Sequence, residues 1–150
     1  MNLAELSGQM TAPNVMLIIC MHTLLILLAI SDFEKRTVPT AMVMLTVVMS
    51  TTYMLTELTS GKRTITDRLI NMIPGVFLCA YSRLKPERVG EADGLLMICI
   101  AELSNPITFI ITMAVTSFLS LIIAVKTIKD KTKLPFITIL VGAYLLCAKY

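Results

Sequence analysis

Two aspartates border apolar stretches in a chain that carries few charges. Asp32 follows the first apolar stretch, and Asp93 lies between Gly90 and Gly94, immediately before another. A carboxylate near hydrocarbon costs roughly 2.5–3.5 kcal/mol on insertion scales, so a membrane-edge pair needs a chemical reason. Two carboxyls whose pKa values are pushed apart can act as general acid and general base without a metal ion. Asp32 and Asp93 are therefore the leading candidates for catalysis.

The composition indicates a membrane protein. Of the 150 residues, 56% are hydrophobic and only 15% are charged, and the mean hydropathy is +0.81. A soluble domain of ordinary composition carries about 25% charged residues. The formal net charge of +3 is modest, and it gives no indication of nucleic-acid binding.

Six apolar stretches predict an all-α membrane protein, a bundle of about six transmembrane helices forming one domain over residues 1–150. The stretches are 14–30, 38–55, 69–81, 94–103, 106–125 and 134–148. Two of them, 69–81 and 94–103, are shorter than the ~20 residues that a spanning helix needs. Either they extend through flanking residues such as Asp67–Arg68 and Glu91–Ala92, or they are tilted or re-entrant segments covered by protein.

The distribution of basic residues predicts a topology. Nine of the 13 Lys and Arg residues fall in the first, third and fifth connections. The positive-inside rule places those connections in the cytoplasm, with the N-terminus outside, in a multi-pass protein of the cytoplasmic (inner) membrane. Asp32 and Asp93 then share the cytoplasmic side. Because the first 13 residues carry Glu5 and no Lys or Arg, we expect no secretory signal there.

Other polar residues have simpler interpretations. Cys20, Cys79, Cys99 and Cys147 stand alone in apolar runs, which favours small core or lipid-facing residues over a zinc or redox pair. His22 is expected to be a neutral imidazole bonded to its own helix. Glu102 is expected to be a solvated interface charge. No metal or other cofactor is predicted.

Two motifs resemble those of the type IV prepilin leader peptidases. Asp32 followed by Arg36 and Pro39 resembles the family's first signature, an aspartate and then a basic residue, an aliphatic residue and proline. The segment Gly90 to Asp93 resembles its Gly-x-Gly-Asp motif. The pair Pro135-Phe136 is similar to the family's Pro-Phe segment before the last span.

The resemblance implies an intramembrane aspartyl endopeptidase. It implies that the enzyme removes the short basic leader of prepilin-like or preflagellin-like proteins at the cytoplasmic face, with Asp32 and Asp93 as the catalytic pair. The expected partners are that protein substrate and the lipid bilayer, without nucleic acid. Long family members carry paired cysteines and a methyltransferase activity, neither of which is expected here. The residues expected to support the motifs are Arg36, Pro39, Gly90, Ala92 and Gly94.

The chain departs from the family pattern at three positions. Ala92 replaces the second glycine of the motif, Thr40 replaces the usual Asn, and Leu95 replaces a common Lys. Alanine is expected to be tolerated at position 92 if the backbone there has a negative φ. Lys35 or Arg36 is the candidate to supply the missing cation.

Two other classes of function fit some of these features. A small proton-coupled transporter would use a membrane carboxyl to bind its ion, but no acidic residue lies at the middle of a predicted span. A non-catalytic subunit of a pilus or secretion assembly would tolerate Asp→Asn at both sites. These two remain the alternatives to a peptidase.

Overall fold

Six α-helices make up the fold within the described residues. The computed structural model describes residues 12–35, 37–59, 65–84, 90–127 and 135–148. The helices are α1 (Ala12–Lys35), α2 (Thr40–Thr59), α3 (Ile65–Leu84), α4 (Glu91–Leu103), α5 (Pro106–Thr127) and α6 (Phe136–Cys147). No strand occurs in these ranges. The predicted all-α class is confirmed.

The helices extend beyond the apolar stretches that predicted them. Helix α3 begins at Ile65 and α4 at Glu91, so both short stretches continue through their polar flanks, as the first alternative proposed. Helix α1 continues to Lys35, which places Asp32 inside its last turn instead of after it. Hydropathy missed these turns because most of their residues are polar.

In the part of the chain that the structure describes, three helices are long and apolar enough to cross a membrane: Val15–Lys35, Thr40–Thr59 and Pro106–Ala124. At most 22% of each apolar window is buried inside the protein, so most of the apolar surface faces outward. Such a surface requires hydrocarbon around it, and the chain is a membrane protein. Helix α6 is apolar but short, and the 13 residues of α4 span only about 20 Å. The six spans and their orientation stay predictions.

Helix α4 lies at the centre of the bundle. It packs against α2 and α3 and also contacts α5 and α6, while α6 packs against α1. Leu96 and Ile100 of α4 are fully buried in one cluster with Leu25 and Leu28 of α1 and Leu140 of α6. Between membrane helices the hydrophobic effect contributes little, so close packing must stabilise this cluster.

Two glycines allow α3 and α4 to approach closely. A Cβ atom on Gly94 would lie 2.7 Å from the backbone nitrogen of Cys79, and one on Gly75 would lie 2.9 Å from that of Ile98. Small residues serve this purpose at many membrane helix crossings. Since Gly94 follows Asp93 directly, this contact also fixes where the first turn of α4 lies.

A buried polar cluster joins α2, α3 and α4 near the far end of α4. Arg68 of α3 contacts the Glu57 carboxylate of α2 and the backbone carbonyl of Glu102. The Ser50 hydroxyl donates to the Glu102 carboxylate, and the Tyr53 hydroxyl donates to Glu57 over 2.7 Å. The prediction that Glu102 is solvated is wrong, because these partners allow a carboxylate to be only 3% exposed.

The α3–α4 contact gives a test with a matched control. Gly94→Ala should lower the free energy of unfolding by about 1–3 kcal/mol, because the new methyl group meets backbone. Gly142→Ala in α6 meets nothing within 4 Å and should be neutral or stabilising by up to about 1 kcal/mol. Thermal unfolding in one detergent measures both variants. Equal effects of the two substitutions would contradict the close approach.

Candidate active site

The Asp32 side chain, in the last turn of α1, contacts the start of α6. Its side chain is buried, and its Oδ2 accepts a hydrogen bond from the backbone N–H of Thr138 over 3.2 Å. Thr138 is the third residue of α6, whose first N–H groups have no partner within the helix. Pro135 at the N-cap supplies no side-chain hydrogen bond. The Asp32 carboxylate therefore caps α6, a position that favours negative charge.

Asp93 lies in the first turn of α4. Its Oδ2 accepts a hydrogen bond from the backbone N–H of the N-cap residue Gly90 over 3.3 Å. This is one half of a capping box, because glycine has no side chain to return a bond. Gly90 has a φ of −79°, and a Cβ there would meet Asp93 only at 3.7 Å. Neither conformation nor space therefore requires glycine at position 90.

The environment of Asp93 favours its protonated form. The carboxyl precedes the predicted span 94–103, and burial raises its pKa from 3.8 to about 6. The Gly90 N–H lowers the pKa of Asp93, and the negative charge of Asp32 raises it. The two carboxyls thus interact electrostatically across α1 and α4. Such an environment suits one proton donor and one proton acceptor.

The residues expected to support the two motifs lie in different surroundings. Arg36 lies outside the described residues, while Lys35 is exposed. Pro39 lies at the N-cap of α2, one residue before the helix begins, and its carbonyl accepts the N–H of Met42 over 3.0 Å. Ala92 is in the right-handed helix α4 and packs against the core cluster, so the replacement of glycine needs no positive φ.

Leu95 also packs against the core cluster, so the position of the family's usual Lys is occupied by an apolar contact. An exposed ion pair lies beside the candidate site instead. Arg83 Nε at the end of α3 is 3.1 Å from Glu91 Oε1 at the start of α4. An exposed pair of this kind contributes little to stability.

One histidine and four cysteines are the other reactive side chains of the chain. His22 Nδ1 is 2.7 Å from the carbonyl oxygen of Ile18, as predicted for an imidazole bonded to its own helix. Its Nε2 is 3.2 Å from the Tyr144 hydroxyl. All four cysteines are free, and only Cys99 is fully buried. Among the described residues, no group of three His, Cys, Asp or Glu side chains could hold a metal ion.

The sequence did not identify Thr138 as part of this site. Its hydroxyl is 3.4 Å from Asp32 Oδ2, in addition to the backbone contact. The available signal was Pro135, because a proline at a helix start places the polar residue three positions later in the first turn. No sequence pattern indicated that this turn would meet Asp32, which is 106 residues away.

The fold and the site define a helical membrane protein in which two carboxyls interact at helix N-termini. Residues 17–125 match the sequence model of the type IV leader peptidase family, and the chain belongs to that family. The match includes both Asp32 and Asp93. No curated protein and no solved structure matches the chain. The suspected family is confirmed, and membership indicates a peptidase.

The raised pKa of Asp93 predicts a pH-dependent stability. A carboxyl whose folded-state pKa lies near 6 loses its favourable contribution as the pH rises from about 4 through 6. Asp93→Asn keeps an acceptor for Gly90 but cannot ionise. The variant should match the wild type near pH 4 and exceed its stability near pH 8 by up to about 3 kcal/mol.

Thermal unfolding in detergent from pH 4 to pH 8 measures this difference. Glu91→Gln is the matched control, since Glu91 is exposed two residues earlier on the same helix. Parallel pH curves for the wild type and Asp93→Asn would contradict the raised pKa of Asp93.

Proposed function

We propose that this protein is an intramembrane aspartyl endopeptidase that removes the basic leader of prepilin-like or preflagellin-like proteins, with Asp32 and Asp93 as its catalytic pair. Membership of the type IV leader peptidase family supports the peptidase class. The observation that carries the proposal is the placement of the two carboxyls, each of which accepts a hydrogen bond from a backbone N–H at a helix start: Asp32 from Thr138 and Asp93 from Gly90. The two aspartates are 61 positions apart in sequence, and the negative charge of Asp32 raises the pKa of Asp93.

The different surroundings of Asp32 and Asp93 indicate which carboxyl acts as the base and which as the acid. Asp93 binds a proton more readily than an ordinary aspartate, because burial and a neighbouring negative charge raise its pKa to about 6. Asp32 lies at the N-terminus of α6, where negative charge is favoured. Asp32 therefore acts as the general base that accepts a proton from water. Asp93 acts as the general acid that donates a proton to the scissile carbonyl.

The reaction then proceeds in two steps. The water oxygen bonds to the peptide carbonyl carbon as one water proton moves to Asp32 and the Asp93 proton moves to the carbonyl oxygen. In the second step the C–N bond of this tetrahedral intermediate breaks. The leaving nitrogen takes the proton from Asp32, and the hydroxyl of the intermediate returns a proton to Asp93. The products are a carboxyl terminus and an amine, and both aspartates regain their starting states.

The substrate would bind at the cytoplasmic face of a six-span bundle whose N-terminus is outside. Lys35 lies with Asp32 in the last turn of α1, and Arg83 at the end of α3 pairs with Glu91, two residues before Asp93. These basic residues support a cytoplasmic location for that end of the bundle. A prepilin-like substrate would place its apolar helix in the bilayer beside the exposed faces of the bundle. Its basic leader would then remain in the cytoplasm, with the junction at the level of the aspartates.

Amide substitutions test the catalytic pair. We expect Asp32→Asn and Asp93→Asn each to reduce cleavage by at least about 100-fold, because each removes a proton-transfer group while keeping the side-chain size. The probe is a co-expressed prepilin-like protein with a short Lys- and Arg-containing leader and an apolar helix. Mass spectrometry of its N-terminus measures cleavage.

Glu102→Gln is the control for a buried carboxyl at the other end of α4, and it should retain cleavage. Cleavage by either aspartate variant at the wild-type rate would contradict the assignment and favour a non-catalytic role. A wild-type protein that leaves a panel of such probes intact would contradict the substrate class.

A further inference from the structure

One hydroxyl lies between Asp32 and the backbone of its own helix. The Thr138 Oγ1 atom is 3.4 Å from Asp32 Oδ2 and 2.9 Å from the carbonyl oxygen of Ala29. Thr138 belongs to α6, whereas Asp32 and Ala29 are successive-turn neighbours on α1. The backbone N–H of Thr138 already donates to the same Asp32 oxygen. Thr138 therefore contacts Asp32 through two polar groups, its backbone N–H and its hydroxyl.

The two groups respond differently to a proton on Asp32. A backbone N–H can only donate, so it serves an ionised carboxylate. A hydroxyl has one hydrogen and two acceptor sites. When Asp32 is ionised, the Thr138 hydroxyl can donate to it. When Asp32 carries a proton, the hydroxyl can accept that proton's hydrogen bond and direct its own hydrogen to Ala29.

We propose that Thr138 is a positioning residue of the reaction, whose hydroxyl changes from donor to acceptor as Asp32 gains a proton from water and returns it to the leaving amine. The inference rests on the proposed role of Asp32 as general base. Both partners of the exchange are in place without any movement of the helices, since Asp32 and Ala29 lie on the same side of Thr138. The hydroxyl keeps one orientation of the Asp32 carboxyl throughout the cycle.

A structural role alone would not require this arrangement. The contact with Ala29 would hold the hydroxyl without Asp32, and the Thr138 N–H would cap α6 whatever the side chain. Thr138→Val keeps the branched shape and the backbone donor and removes only the hydroxyl. Thr138→Ser keeps the hydroxyl and removes the methyl group. The two variants therefore separate hydrogen bonding from packing.

Steady-state cleavage of a purified prepilin-like probe by the full-length protein tests the role. Thr138→Val should lower kcat by about 10- to 100-fold with KM unchanged, the effect of one hydrogen bond to a charged group. Thr138→Ser should stay within about threefold of the wild type. Thermal unfolding of both variants in the same detergent shows that each is folded.

Each outcome decides the question. Wild-type kcat in Thr138→Val, with Asp32→Asn inactive, overturns the positioning role and leaves the proposed function intact. Equal losses of kcat in the Val and Ser variants also overturn it, because a variant that keeps the hydroxyl would then be as impaired as one that lacks it. Full activity of Asp32→Asn would overturn both the proposed function and this inference.

Discussion

The structure depends on holding two carboxyls, the buried Asp32 and the partly buried Asp93, at the ends of packed helices. Each carboxyl accepts a hydrogen bond from a backbone N–H group at a helix start, where that N–H has no partner within its own helix. Asp32 accepts from Thr138 at the start of α6, and Asp93 accepts from Gly90 at the start of α4. Helix N-termini supply unpaired donors and a favourable dipole without any added cation. These N–H groups stabilise negative charge on the carboxyls in a chain that has Leu95 where the family commonly has a lysine.

The scaffold fixes the two caps relative to each other. Gly94 and Gly75 bring α3 against α4 and so set the position of Asp93, while the contact between α6 and α1 sets that of Asp32. At the opposite end, Arg68 joins Glu57 to the last turn of α4. About 14 Å of helix separates Glu102 from Asp93. The polar cluster thus anchors α4 while leaving its first turn to the candidate site.

Much of this could be predicted from the sequence, because hydropathy and motif order are local properties. The all-α class, the three long apolar helices and the family followed from such patterns. Hydropathy could not locate the polar ends of α3 and α4. It also misjudged Glu102, because its partners Ser50 and Arg68 come from other helices. The contact of Thr138 with Asp32 was not predicted for the same reason, because it depends on the packing of α6 against α1.

The charge of Asp32 raises the pKa of Asp93, and a titration of the purified protein measures this effect. Side-chain carboxyl resonances of carbon-13-labelled aspartate can be followed by NMR against pH in the wild type and in Asp32→Asn. We expect Asp93 to titrate at about pH 6 in the wild type and at a lower pH once the Asp32 charge is removed. The same midpoint in both proteins would contradict this expectation.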